Sequence, residues 1–208
     1  MTDVPRGDLL HLLDWKRRIF GIYAEIRGAS DPEAAWKRWR AVRDELFASH
    51  PQSPLPATDR TGFNGLAYFE YDPRARVLAD VMVAEPAHYD IATSGEHQDS
   101  YGFTRFAVAR FELAAKPLEL ELSWLDGYGG GLFLSFRDGT SGSETYGAGR
   151  YLLDTVKGAD LGMDGERLVL DFNFAYNPSC AYDPRWVCPL VPPPNRLKVP
   201  IRAGERRG

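Results

Sequence analysis

The chain is expected to fold as a mainly β, α+β protein: an antiparallel β-barrel or coiled sandwich with two N-terminal helices packed outside. Three observations carry this. Up to Phe47 apolar residues recur at three- and four-residue spacing, beyond Thr61 the period changes to two, and the later apolar runs are short and bounded by Gly, Asp, Ser or Pro. Short strands joined by short turns favour an antiparallel sheet that closes or nearly closes, because an open edge invites aggregation. The 208 residues suit one domain, 1–208, with a sizeable core. Within it we expect a helical segment (1–50), an antiparallel β core (62–176) and an extended proline-rich wrap (177–208).

The first expected helix, Asp8 to Arg27, places Leu12, Trp15, Ile19, Ile22, Tyr23 and Ile26 on one side and Lys16, Arg17 and Arg18 largely on the other. The second follows at once. Ser30 or Asp31 can accept from first-turn amides, Pro32 suits an early helical position, and Glu33 lies three residues after Ser30 as a capping box requires. Trp36, Trp39, Val42, Leu46 and Phe47 form its buried stripe. Three prolines between His50 and Thr61 make that stretch a connector. Leu66–Tyr71 and Val77–Val83 flank Asp72-Pro73-Arg74-Ala75 and are expected to pair as a hairpin, since proline presets the first corner of a turn. Phe103–Leu113, Leu118–Leu125, Leu132–Phe136, Tyr151–Val156 and Leu168–Phe174 continue the strands.

Composition narrows the function. Hydrophobic residues at 44% and charged residues at 26% are globular values and argue against disorder. A net charge of −4 gives no general attraction to nucleic acid, and the basic end Arg202, Arg206, Arg207 reads as a solvated terminus. No apolar run is long enough to span a bilayer, and the N-terminus lacks a signal-peptide pattern, so a cytoplasmic protein without membrane contact is expected. Cys180 and Cys188 make no disulfide framework. With seven residues between them and only His11, His50, His88 and His97 to complete a site, they are a weak zinc signal; no metal or cofactor is expected. They read as buried structural thiols, with Cys180 placed by Asn177-Pro178-Ser179 where a turn can present it. His88 and His97 read as solvated loop residues. Gly127 to Gly131 lacks the lysine and following helix of a phosphate loop, and no G-x-S-x-G, H-E-x-x-H or dinucleotide fingerprint occurs.

Two constellations carry chemistry. Arg137 to Tyr151, RDGTSGSETYGAGRY, lies between strands and offers Asp138, Thr140, Glu144, Tyr146 and Arg150 beside glycines 139, 142, 147 and 149. Such a loop can hold an anion through Arg150 while Glu144 or Tyr146 moves a proton. Equally, Arg150 can pair with Asp138 or Glu144 as a purely structural clasp. Leu170 to Pro189, LDFNFAYNPSCAYDPRWVCP, alternates Asp171 and Asn173 with Phe172 and Phe174, so the polar pair shares one strand face. It either binds a ligand or ties down the adjacent loop; backbone amides satisfying both side chains would decide for the second.

These stretches, with SPL at 53–55, FNGLAYFEYD at 63–72, F-x-D-x-T-x-G-x-E-T-Y-x-x-G-R-Y-L at 136–152 and D-F-N-x-A-Y-N-P-x-C-A-Y, C-P-L and P-P-x-N-x-L beyond, resemble family 1684 of the bacterial and archaeal domains of unknown function. The resemblance implies that Asp138, Thr140, Glu144, Thr145, Tyr146, Arg150, Asp171, Asn173, Tyr176, Asn177, Cys180, Cys188 and Asn195 belong to one signature. It names no reaction.

The leading expectation is a metal-independent, cofactor-free acid–base enzyme acting on a small polar metabolite in a barrel-mouth pocket. Glu144, Tyr146 and Arg150 would be catalytic; Asp138, Thr140, Asp171, Asn173, Asn177 and Cys180 would bind substrate. The alternatives are a non-catalytic small-molecule-binding barrel and a signature that only fastens the C-terminal segment. That segment is expected to be ordered, its prolines limiting the entropy lost on folding, with Cys180 and Cys188 withdrawn from solvent and Asn195 bonded to backbone.

Overall fold

A computed structural model describes residues 6–94 and 100–208. Helices α1 (Arg6–Gly28), α2 (Pro32–Ser49) and α3 (Ala57–Arg60) precede strands β1 (Arg76–Ala92), β2 (Ser100–Leu113), β3 (Lys116–Leu125), β4 (Leu132–Phe136), β5 (Arg150–Asp154), β6 (Met163–Asp164) and β7 (Arg167–Asp171). Asp31 caps α2, its Oδ1 accepting from Ala34 N at 3.0 Å, and Pro32 follows in the first turn. The α2 stripe is buried as the periodicity requires. On α1, Ile19, Ile22 and Tyr23 are buried, but Leu12 is 43% exposed because the core reaches only the later turns of that helix.

The seven strands form one antiparallel sheet in the order β5-β4-β3-β2-β1-β7-β6. It does not close into a barrel. Its edges, β5 and β6, share no ladder among the described residues. The chain beyond β7 instead returns to β5 through a single bridge, Tyr151 to Tyr176. The reason lies at Asp171, where its carboxylate caps a tight turn over Phe172–Phe174 and ends the strand that the sequence extends to Phe174.

Two further expectations change. Leu66–Tyr71 is not a partner of β1, whose two sides are taken by β2 and β7; it meets the C-terminal segment through a Tyr68–Glu205 bridge. Asp72 and Pro73 do make a turn, with Asp72 Oδ1 accepting from Arg74 N at 2.9 Å, but it delivers the chain into β1 from outside the sheet. Strand β1 also runs on to Ala92, past Pro86. That proline falls in the register shift between Val83 and Ala87, a place where a strand tolerates a missing N–H. The β2–β3 hairpin turns through Ala114 and Ala115 at φ of 51° and 56°.

One apolar cluster runs from Ile19 on α1 to Ala203 near the C-terminus. Phe172 packs on Phe111 and Phe136 at ring separations of 5.7 and 5.2 Å, and Trp39 on Phe174 at 5.2 Å. Each such ring removes roughly 150–250 Å² from water, or about 4–6 kcal/mol of transfer free energy. Trp36 Nε1 donates to Asn173 O at 3.0 Å, which fixes α2 against the turn after β7. No helix among the described residues is long and apolar enough to cross a membrane.

Candidate functional site

Arg150 opens β5 and is 1% exposed. Its Nη2 donates to Asp138 Oδ2 at 2.8 Å and to Ile201 O at 2.9 Å, while Nη1 donates to Ala203 O and to Glu205 O at 3.1 Å. Burial pulls the guanidinium's pKa down and Asp138 opposes that. Asp138 Oδ1 accepts from Thr140 N at 2.7 Å, Thr140 Oγ1 at 2.5 Å and Ile201 N at 3.3 Å. The structure thus brings Asp138, Thr140 and Arg150 together, facing the C-terminal segment. Glu144 points away and pairs with Arg202 Nε at 2.9 Å, which holds its carboxyl below the usual range. The loop glycines admit close approach of the chain to itself: a Cβ on Gly139 would meet Pro200 N at 3.0 Å, and one on Gly149 would meet Phe136 O at 2.6 Å.

The second constellation divides. Asp171 Oδ1 accepts from Asn173 N at 3.0 Å and Nδ2 at 2.8 Å; Asn173 Oδ1 accepts from Asp72 N at 3.0 Å, and Nδ2 donates to Asp72 O at 2.8 Å. Both side chains are buried, and burial raises the Asp171 pKa. Asn173 is satisfied by backbone groups of Asp72, and Asp171 accepts from the backbone and side chain of Asn173, an arrangement that fastens the turn. Asn177 instead donates from N and Nδ2 to Glu205, each at 3.1 Å, and its buried Oδ1 has no partner. Asn195 bonds to backbone as expected: Oδ1 accepts from Glu121 N at 2.7 Å, and Nδ2 donates to Glu121 O and Ser135 O, both at 3.0 Å.

The side chains of the basic end are exposed, as a solvated terminus requires, but its backbone is tied in. Arg202 binds Glu144, Arg206 N donates to Ala67 O at 3.0 Å, and Arg207 N donates to Glu144 O at 3.0 Å. Glu205, unremarked in the sequence, is 1% exposed and accepts from Arg43 Nη2 at 2.7 Å and from the Tyr182 hydroxyl. The apolar alternation Ile201, Ala203 ahead of it is the signal that would have found it.

Two cavities border the end of β5. One, of about 110 Å³, is walled by Tyr101, Phe103, Leu125, Phe133, Val187 and Pro189. The other, of about 90 Å³, lies between α1, α2, β5 and the Tyr176–Tyr182 stretch, with Trp15, Tyr23, Trp39, Phe47, Tyr151 and Tyr176 around it. Both are bordered by Asp154 and Lys157. Asp154, at the end of β5, is 6% exposed. Its Oδ1 accepts from Lys157 N at 3.3 Å, and its Oδ2 lies 3.7 Å from Lys157 Nζ. Burial raises its pKa. In the second cavity the Arg43 guanidinium stacks over Trp39 and Tyr176 at 4.9 and 5.2 Å. The Trp39 indole N–H turns toward the Tyr23 hydroxyl without closing an ordinary hydrogen bond. Sequence reasoning missed Asp154, whose signal is a carboxylate interrupting the apolar run Tyr151–Val156.

Cys188 is 4% exposed and Cys180 only half-buried, so one thiol is withdrawn from solvent and the other is not. Tyr146 reaches this pair, its hydroxyl 3.5 Å from Cys180 O and 3.8 Å from Cys180 Sγ. His88 pairs with Asp126 at 3.0 Å, and His97 lies outside the described residues.

The family model described as "Protein of unknown function (DUF1684)" matches residues 61–206. The chain belongs to this family. Among solved structures, the solution NMR structure of an uncharacterized protein of Haloarcula marismortui is 36% identical, covering 84% of this chain and 94% of that chain, with a TM-score of 0.60. No curated protein matches. For this DUF1684 chain the matched segment holds the Arg150 clasp, the Asp171–Asn173 turn and Asp154. The α1 and α2 side chains that wall the second cavity precede it.

Proposed function

We propose that this DUF1684 protein binds a small molecule, one ring or smaller, in the cavities that Asp154 borders. The observation that carries the reading is a buried carboxyl group bordering two aromatic-walled cavities, which caps a three-residue turn and meets only the exposed Lys157 ammonium, at 3.7 Å, through its other oxygen. A carboxyl taken from water is costly unless its oxygens are engaged, and a donor on a ligand would engage Oδ2. A cavity of about 150 Å³ admits benzene, and the two here, of about 110 and 90 Å³, are each smaller, which makes one ring the upper limit of size. The partner is therefore a small metabolite with an aromatic or apolar body and one amine or hydroxyl donor.

In this reading Arg150, Asp138, Thr140, Asp171 and Asn173 fasten the chain, since the hydrogen bonds they make run to one another and to backbone. A second reading is acid–base catalysis in the same place. Burial moves Asp154 toward the range in which a carboxyl exchanges protons near neutrality, as a general acid or base requires. The proton-transfer role then falls to Asp154, because Arg202 holds the partly exposed Glu144 carboxyl below its usual range.

Binding of aniline, phenol and benzylamine, followed by thermal shift and by ligand-observed NMR, tests the proposal. At least one probe should bind, and Asp154→Asn should weaken it about tenfold or more, the worth of a hydrogen bond to a charged group, while Glu144→Gln leaves it unchanged. Equal binding by wild type and Asp154→Asn, or no binding by any probe, would sink it.

A further inference from the structure

We propose that Cys180 and Cys188 are a peroxide-oxidisable dithiol, with Cys180 the attacking sulfur and Cys188 the resolving one. The inference does not depend on any ligand in the cavities. Cys180 sits in the turn Ser179–Ala181, partly exposed, and its N–H donates to Cys188 Sγ at 3.4 Å. Cys188 is buried among Ile91, Phe103, Phe133 and Tyr151. Its own N–H donates to Ser94 Oγ at 3.1 Å, which holds the segment against the end of β1. One thiol is thus open to a small oxidant and the other waits behind it.

The environment makes the pair unequal. The Cys188 thiol, chiefly, and the Ser94 and Tyr146 hydroxyls pull Cys180 down to about 6 against the effect of burial. Sharing that hydrogen bond, and burial, push Cys188 up. The other groups that face the pair are the Tyr151 phenol on β5 and the Lys157 ammonium beyond it. A thiolate attacks peroxides and a thiol does not, so at neutral pH the pair presents one nucleophile and one proton-bearing partner.

The chemistry balances with a hydroperoxide as oxidant. The Cys180 thiolate attacks the terminal peroxide oxygen; an S–O bond forms, the O–O bond breaks, and the alkoxide (hydroxide from hydrogen peroxide) takes a proton from solvent and leaves as an alcohol or as water. Cys188 sulfur then attacks the Cys180 sulfenic acid. The S–S bond forms, the S–O bond breaks, and hydroxide leaves with the Cys188 proton as water. Two thiols have given two electrons to one peroxide. Such a transient bond suits a reducing compartment, where a permanent disulfide does not persist.

The test treats native, reduced full-length protein with a small excess of hydrogen peroxide and follows thiol titre and intact mass. Wild type should lose both thiols and become two hydrogens lighter, with the 180 and 188 peptides linked. Cys188→Ser should stop at a sulfenic acid on Cys180 that dimedone captures. Iodoacetamide should alkylate wild-type Cys180 with a midpoint near pH 6; at that pH its advantage over free cysteine is on the order of tenfold, thiolate fraction set against lower intrinsic nucleophilicity. Retention of both thiols, direct passage of Cys180 to the sulfinic acid without a linked peptide, or an alkylation midpoint at the ordinary thiol value would each overturn the proposal.

Discussion

Arg150→Met separates a guanidinium that binds a ligand from one that clasps the chain. The substitution keeps the aliphatic bulk and removes every donor from a position 1% exposed. Asp138 is left buried and without its counter-ion, and the carbonyls of Ile201, Ala203 and Glu205 lose the donors they share. Breaking a buried pair by deleting one partner costs about 3–5 kcal/mol, and each orphaned acceptor adds about 1 kcal/mol or more. The loss is then at least about 5 kcal/mol, the lower end of a whole domain's stability. At roughly 2–4 °C per kcal/mol for a chain of this size, the melting temperature should fall by about 10 °C or more, if the variant folds at all. Thermal and urea melts by circular dichroism measure this. Asp138→Leu with Arg150→Met should recover part of the loss, because the stranded charge leaves with its partner; a double-mutant cycle should give a coupling of about 2 kcal/mol or more. A drop below about 3 °C in the single variant, with no coupling, would refute the clasp.

Gly204→Ala should destabilise severely, since its φ of 77° is left-handed and a Cβ there would lie 2.6 Å from Ala175 O and 2.7 Å from Phe172 O; melting within about 2 °C of wild type would contradict this. Replacing Ala114-Ala115 by Asn-Gly should raise stability by about 1–2 kcal/mol, because both alanines hold left-handed backbone that Asn and Gly accept more readily; an unchanged urea midpoint counts against it. Truncation after Tyr176 removes Ile201, Ala203, Glu205 and Asn195 together and should leave no cooperative melt. Asp154→Asn should gain on wild type as pH rises. The folded-state pKa of Asp154 is raised, so its contribution is fully present below about pH 3.9, the unfolded value, and is lost as pH climbs through the raised folded value. A difference in melting temperature that does not change with pH would contradict the burial of the charge.

Much of the secondary structure was legible because local chemistry and tertiary packing agree. Trp36, Trp39, Val42, Leu46 and Phe47 form a stripe, and α2 buries it. What was not legible depends on partners distant in sequence. Nothing within Leu66–Tyr71 reveals that β7, not this segment, pairs with the start of β1. Pro86 reads as a strand end until a bulge is known to receive it. The polar signature was legible as a signature. The Arg150–Asp138 pairing was one of the readings the loop offered, but the carbonyls Arg150 also binds lie 51–55 positions away, and a lone Asp154 in an apolar strand gives no hint that it borders two cavities.

The distribution of these residues divides the chain into a holder and a wall. The polar residues of the family segment close the sheet's return path: Arg150 grips the last turns of chain, Asn195 grips β3 and β4, and Asn173 grips the approach to β1. The second cavity exists only where α1 and α2 cover that scaffold, with Trp15, Tyr23, Trp39 and Phe47 supplied from before residue 61, the start of the family match. Glu205 joins the two parts, since its carboxylate meets Arg43 of α2 on one side and Asn177 and Tyr182 on the other. On the proposed binding role, exchanging the helices' aromatic residues should therefore alter which ring the second cavity accepts while leaving the clasp intact, whereas changes within the clasp should act first on folding.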